Sequence, residues 1–261
     1  MTATFTIDHH DTVAVLTLRN EAGMNSFDPA YLAACRKAMT ELLANNSVRA
    51  IVLTGSGRAF STGANVADMQ KAAAAGTASQ WVLDATAELH PLLQAMVNSE
   101  KPIISAINGV AAGGGLGLAL ASDARIGCAA SRFAAGYFGI GLSPDGGATW
   151  LLPRLIGLQR TRQFFFNNEV MDAETAFEWG LLDAHVEAND LLRYAINLAR
   201  QWGAWGAASR HATKALLTSS YSNTFTEQMN EERRLIAGAA GTDDFRAGTT
   251  AFVSKQTPDF N

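Results

Sequence analysis

Cysteine is nearly missing from this chain of 261 residues, with Cys35 and Cys128 the only two. They lie far apart and belong to no CxxC or Cys/His spacing, so neither a zinc site nor a disulfide scaffold organises the fold, and two reduced core thiols of the cytosolic kind are expected. Positive charge is also in short supply. Lys and Arg number 20 against 24 Asp and Glu, and the net charge of −4 gives no basic footprint for a nucleic acid. No uninterrupted apolar run reaches the ~18 residues a membrane span needs. The opening MTATFTIDHHD lacks a basic segment followed by an apolar one, so no secretory signal is expected and the protein reads as cytoplasmic. His9 and His10 are adjacent on a strand and point to opposite faces, which suits a solvated turn better than a metal site. No metal cluster, Walker loop or Rossmann fingerprint is present, so no metal, ATP or NAD is implied.

Glycine, by contrast, is plentiful, at 23 residues, and is concentrated where apolar runs end. INGVAAGGGLG, Ile107 to Gly117, follows the apolar run Pro102 to Ile107 and precedes helix-forming Leu116 to Ala121. A strand-to-helix turn is expected, in which Gly113, Gly114 and Gly115 let a ligand approach backbone N–H groups at a helix start. Such a loop serves either an anion or tight helix packing, and the residues alone leave both open. A second loop, GSGRAFSTGAN at Gly55 to Asn65, follows the run Ala50 to Thr54. Two strand ends, each offering one N–H to a single carbonyl oxygen, would make an oxyanion hole.

The loops AFSTGANV and INGVAAGGGLGLALASD resemble those of the crotonase, or enoyl-CoA hydratase/isomerase, family, over nearly the whole chain to the closing AFVSKQTPDF. The resemblance implies an α/β fold, a crotonase-like ββα spiral core over residues 1–202, with a C-terminal α-helical module over 203–261 that covers the site and packs into trimers, or hexamers as dimers of trimers. It implies an acyl-CoA thioester as substrate and partner, coenzyme A being part of the substrate and no separate cofactor needed. By motif the two oxyanion donors fall on Ala64 and Gly114, with Gly23, Met24, Ser61, Gly63, Asn65, Val66, Gly113, Tyr137, Ile140 and Leu142 as substrate-binding positions.

Read in order, the chain gives a hairpin, Phe5 to Ile7 and Val13 to Leu18, around the turn His9 to Thr12. Asp28-Pro29 then caps a helix to about Ala44. Ala72 to Ser79, rich in small residues, reads as a mobile connection. A helix over Gln80 to Val97 carries Pro91, expected to kink or break it. After Pro144 the pattern is helical, and only Ala184 to Val186 reads as a strand.

Hydratases of this family use two glutamates, and their positions carry Gly117 and Tyr137 here, which leaves water addition without its acid/base pair. One acid stands nearby, Asp145 in GIGLSPDGGATWLLPR. Aspartate is a favoured helix N-cap. The surrounding SPDGGATWLLPR also resembles the isomerase branch found in bacterial phenylacetate degradation, where the matching aspartate is the catalytic base. One base suits a 3-enoyl to 2-enoyl shift, taking a proton from C2 and returning one to C4 through a dienolate, with Tyr137, Phe138, Ile140 and Leu142 expected as apolar neighbours. Two alternatives stand beside the isomerase: a hydratase, and an enzyme like the 4-chlorobenzoyl-CoA dehalogenases, which place an aspartate at Asp145 and a histidine at His90. On its helix His90 reads equally as a capping or surface residue. A non-enzymatic, RNA-associated member of the family is the reading from another class, against which the acidic balance argues.

Overall fold

The computed structural model describes residues 4–260. Strand β1 (Phe5–His10) runs antiparallel to β2 (Val13–Leu18). The hairpin is tighter than expected, because Asp11 takes a positive φ of 57° and closes the turn with Thr12 alone, so that His9 and His10 stay in the strand. Asp28 then caps α1 (Pro29–Ala44), its carboxylate accepting the Tyr31 N–H at 2.7 Å, with Pro29 as the first helical residue.

Three turns of one plan follow, each a strand of a large sheet, a short strand of a small sheet, and helix. They are β3 (Ala50–Gly55), β4 (Ala59–Ser61), α2 (Val66–Ala74) and α3 (Ala78–Asn98); then β5 (Ile103–Ile107), β6 (Val110–Ala112) and α4 (Gly114–Leu120); then β7 (Ala124–Gly127), β8 (Arg132–Ala134) and α5 (Ala148–Leu155). This is the expected ββα spiral. The chain continues through α6 (Leu158–Asn167), β9 (Val170–Asp172), α7 (Ala173–Trp179), β10 (Ala184–His185) and α8 (Leu191–Gly203), and closes in α9 (Ala207–Ser219), α10 (Phe225–Ala240) and α11 (Asp243–Val253). The large sheet has the order β1-β2-β3-β5-β7-β10, parallel from β2 onward. The small sheet has the order β4-β6-β8-β9, with β9 antiparallel.

Strands β3 and β5 read as apolar runs, interrupted only by Thr54 and Ser105, because both faces of the large sheet are covered. Leu16, Leu53, Ile103 and Ile107 face the main core with α1 and α3, while Val15, Val52, Ile104 and Ala106 face Ala195, Ile196 and Ala199 of α8. Cys35 and Cys128 are buried and free. Asp123 is structural, its carboxylate accepting both the Ile103 N–H and the Lys214 ammonium at 2.8 Å, which ties α9 to the start of β5.

The structure differs from expectation at five points. Residues 72–79 are mostly helical, since alanine, a good helix former, extends α2 to Ala74, and the turn at left-handed Gly76 is short enough for α3 to start at Ala78. Pro91 does not end α3, which runs on to Asn98; Ala87, whose carbonyl loses its partner, and Pro91 itself are exposed, so water can satisfy that carbonyl. Val170–Asp172 is a further strand in the latter part of the chain, and Asp243–Val253 a further helix. The glycine loops do not leave the large sheet directly, because β4 and β6 intervene.

Candidate active site

The short strands decide the geometry. β4 and β6 are parallel neighbours, so the loops that leave them emerge side by side. After β4, Ala64 bridges Phe27 in parallel register, with Phe27 N–H donating to the Gly63 carbonyl and Asn65 N–H donating to the Phe27 carbonyl, both at 2.9 Å. In that register the N–H of Ala64 itself points away from the bridge. After β6, Gly113 takes φ 52° and ψ −128°, a conformation only glycine adopts comfortably, and starts α4 with the Gly114 N–H as a first-turn orphan donor. Among the described residues neither the Ala64 nor the Gly114 N–H has a protein acceptor. A Cβ built on Gly63 would lie 2.9 Å from the Gly114 nitrogen, so the two loops touch.

Both residues line one cavity of about 180 Å³. Of the positions singled out from sequence, Val66, Gly113, Tyr137, Ile140, Leu142 and Asp145 also line it. Gly23, Met24, Ser61, Gly63 and Asn65 do not, and brace the loop instead. The Thr62 N–H donates to the Met24 carbonyl at 3.2 Å and the Thr62 hydroxyl to the Gly23 carbonyl at 3.4 Å. The Ser61 hydroxyl donates to the Asn25 carbonyl and accepts the Gly63 N–H, and Asn65 caps α2. Phe138 turns away to pack edge-on against Phe166. Sequence reasoning missed the wall from α3, namely Trp81, Val82, Ala85, Thr86 and Leu89, although their spacing marks one helical face. It also missed buried Asn25, whose amide donates to the carbonyls of Ser56 and Ala59 and holds the β3–β4 connection.

Asp145 is not the cap of α5. Gly147 occupies that position without a side-chain hydrogen bond, and the Asp145 carboxylate is left for the cavity. Its Oδ1 accepts the Tyr137 hydroxyl at 2.9 Å, and its Oδ2 lies 3.8 Å from His90 Nε2. The enclosure is partial, the Asp145 side chain being one-third exposed (33%). Tyr137 is itself buried, and burial together with the neighbouring carboxylate pushes its phenol far above the ordinary range, so it remains a neutral donor.

The place of the first hydratase acid is closed. A Cβ on Gly117 would sit 2.6 Å from the Gly146 carbonyl oxygen, because the loop carrying Asp145 lies directly against α4. An added Cβ on Gly114 would meet Phe27 at 2.6 Å and Leu89 at 3.1 Å, so a side chain there strains the core as well as the pocket.

The family model described as Enoyl-CoA hydratase/isomerase matches residues 8–261. The chain is 32% identical over 248 residues to the 1,2-epoxyphenylacetyl-CoA isomerase of Escherichia coli, covering 95% of this chain and 94% of that protein. It is 37% identical over 250 residues to a Rhodobacter capsulatus protein named as an enoyl-CoA hydratase, with 95% and 94% covered. Among solved structures, a Polaromonas enoyl-CoA hydratase superposes with a TM-score of 0.92 at 28% identity, covering 98% of this chain and 99% of that one. With the spiral, the paired glycine loops and a match across nearly its full length, the chain belongs to the enoyl-CoA hydratase/isomerase family, the crotonases.

Proposed function

We propose that this enzyme moves the double bond of a 3-enoyl-CoA to the 2-position, with Asp145 as the single proton shuttle. The observation that carries the reading is that Asp145 is the one carboxylate among the residues lining the cavity, and that it is free of a capping role. The thioester oxygen takes the Ala64 and Gly114 N–H groups, which stabilise the dienolate as it forms, each contributing about 3 kcal/mol. Asp145 removes a proton from C2 and returns one to C4, exchanging with solvent between the two steps. Protons and electrons balance without a redox partner, so the reaction needs no cofactor beyond the CoA carried by the substrate.

A hydratase would need two carboxylates, and Gly117 and Tyr137 supply neither. The dehalogenase-like reading rests on one observation, the approach of His90 to Asp145. A panel of wild type and Asp145→Asn on 3-hexenoyl-CoA, crotonyl-CoA and 4-chlorobenzoyl-CoA separates the three. Isomerisation with deuterium entering C2 or C4 from heavy water is expected, falling about 10²- to 10⁴-fold in Asp145→Asn. Fast crotonyl-CoA hydration that survives the substitution would sink the proposal, and chloride release that depends on His90 would replace it.

We take assembly into trimers or paired trimers from the same reading, and α9 to α11 leave several large apolar side chains for a partner to cover, among them Leu217, Phe225, Ile236, Phe252 and Val253. Sedimentation showing a monomer at micromolar concentration would count against that assembly.

A further inference from the structure

We infer that Tyr137 is the positioning residue of the site: its hydroxyl anchors Oδ1 of Asp145 and thereby assigns Oδ2 as the atom that carries the proton. The inference rests on Asp145 being the base. A carboxylate that must reach two carbons in turn has a choice of oxygens, and free rotation about the Cβ–Cγ bond would spread the proton over both. Here the Tyr137 hydroxyl lies 2.9 Å from Oδ1, which accepts its one proton, and 3.3 Å from the Asp145 backbone carbonyl. The phenol is 6% exposed, in the cavity wall, and packs with the main core, so its ring cannot follow the carboxylate about. It donates and does not titrate in the working range, for burial and the adjacent charge both oppose loss of its proton. Oδ2 is left facing His90, at 3.8 Å from Nε2. The position that holds a second acid in hydratases therefore holds, in this chain, a support for a different base.

Among the described residues the titratable groups that face Asp145 are Tyr137 and, from α3, His90. Tyr137→Phe keeps the ring and removes only the donor. Its kcat on 3-hexenoyl-CoA should fall about 10- to 100-fold, the loss expected when a reacting group is misplaced by up to 1 Å, with KM little changed. The kcat loss should persist in a His90→Gln background. Where Tyr137→Phe folds poorly, 3-fluorotyrosine at position 137 supplies a stronger donor of nearly the same shape and should leave kcat close to that of wild type.

Infrared difference spectra of the ligand-free protein decide the hydrogen bond apart from the reaction. The carboxylate band that vanishes in Asp145→Asn should shift in Tyr137→Phe. An unmoved band overturns the inference, even if the variant is slow. A shifted band in a protein that isomerises nothing would keep the anchor and discard the isomerase reading.

Discussion

Adding one methyl group at Gly117 tests whether the loop carrying Asp145 must lie on α4. The new Cβ would stand 2.6 Å from the Gly146 carbonyl oxygen, where ordinary contact begins at 3.4 Å, so the loop has to withdraw by about 0.8 Å. Gly146 adjoins Asp145, and both Gly146 and Gly147 hold positive φ, 59° and 72°, which leaves the turn few other shapes. A displacement near 1 Å of a reacting group costs about 10²-fold in rate. Gly117→Ala should therefore lower kcat for 3-hexenoyl-CoA by about that factor. Folding should survive, because overpacking costs about 1–3 kcal/mol while replacing glycine inside a helix returns about 1 kcal/mol. The measurements are steady-state kinetics on 3-hexenoyl-CoA and a urea unfolding curve. Gly117→Glu should likewise lose isomerisation and gain no crotonyl-CoA hydration, since its carboxylate enters a space already filled by backbone. Wild-type turnover in a folded Gly117→Ala protein would refute the idea that this contact places Asp145.

Three further outcomes follow from the packing. Gly114→Ala should lose both stability and turnover, because its Cβ meets Phe27 and Leu89 before it reaches substrate; a variant with unchanged unfolding midpoint would mean the core yields there without cost. Lys214→Met removes the partner of a largely buried carboxylate and should cost about 3 kcal/mol. Burial already holds the Asp123 carboxyl above its ordinary range, so the folded state keeps that proton longer than the unfolded chain and stability falls as pH rises through the window; the fall should be steeper in Lys214→Met, and parallel unfolding curves for the two proteins at pH 5 and pH 7 would contradict this. Burial pushes the Cys35 thiol up to about 12, so iodoacetamide at pH 8 should label that residue only after unfolding; rapid labelling of native protein would show that α1 opens.

The parts of the fold legible in the sequence were those that rest on local signals. Asp28-Pro29 announces α1 through its own cap, and β3 and β5 announce themselves because both faces are covered and nearly every residue is apolar, Thr54 and Ser105 excepted. Strands β4, β6 and β9 have three residues each, too few to display a period, and β4 and β6 lie inside glycine loops whose composition speaks for turns. Helix α11 stayed hidden because DDFRAGTTAFV buries only Ala251 and so shows no apolar stripe. Pro91 did not mark a break, because packing of α3 against the core outweighs the lost hydrogen bond and the crowding at the carbonyl four residues back.

The site was legible as residue types but not as contacts. Ala64 and Gly114 could be matched by motif, yet their convergence depends on the pairing of β4 with β6, which no local pattern encodes. Asp145 carried two meanings, cap or base, and residues near it in sequence could not choose between them. Gly147, which starts α5 in the left-handed region, leaves the aspartate unused by the helix and so removes the capping role. Tyr137 read as an apolar neighbour because its hydroxyl reaches Asp145 only after the 3₁₀ turn at Phe138–Ile140 and the left-handed Gly141 reverse the chain. Gly117 read simply as a missing acid. In three dimensions its lack of a side chain is what admits the Gly146 backbone, so the loss of one carboxylate and the arrival of another are a single packing event. A chain that regained the first acid would have to give up the position of the second.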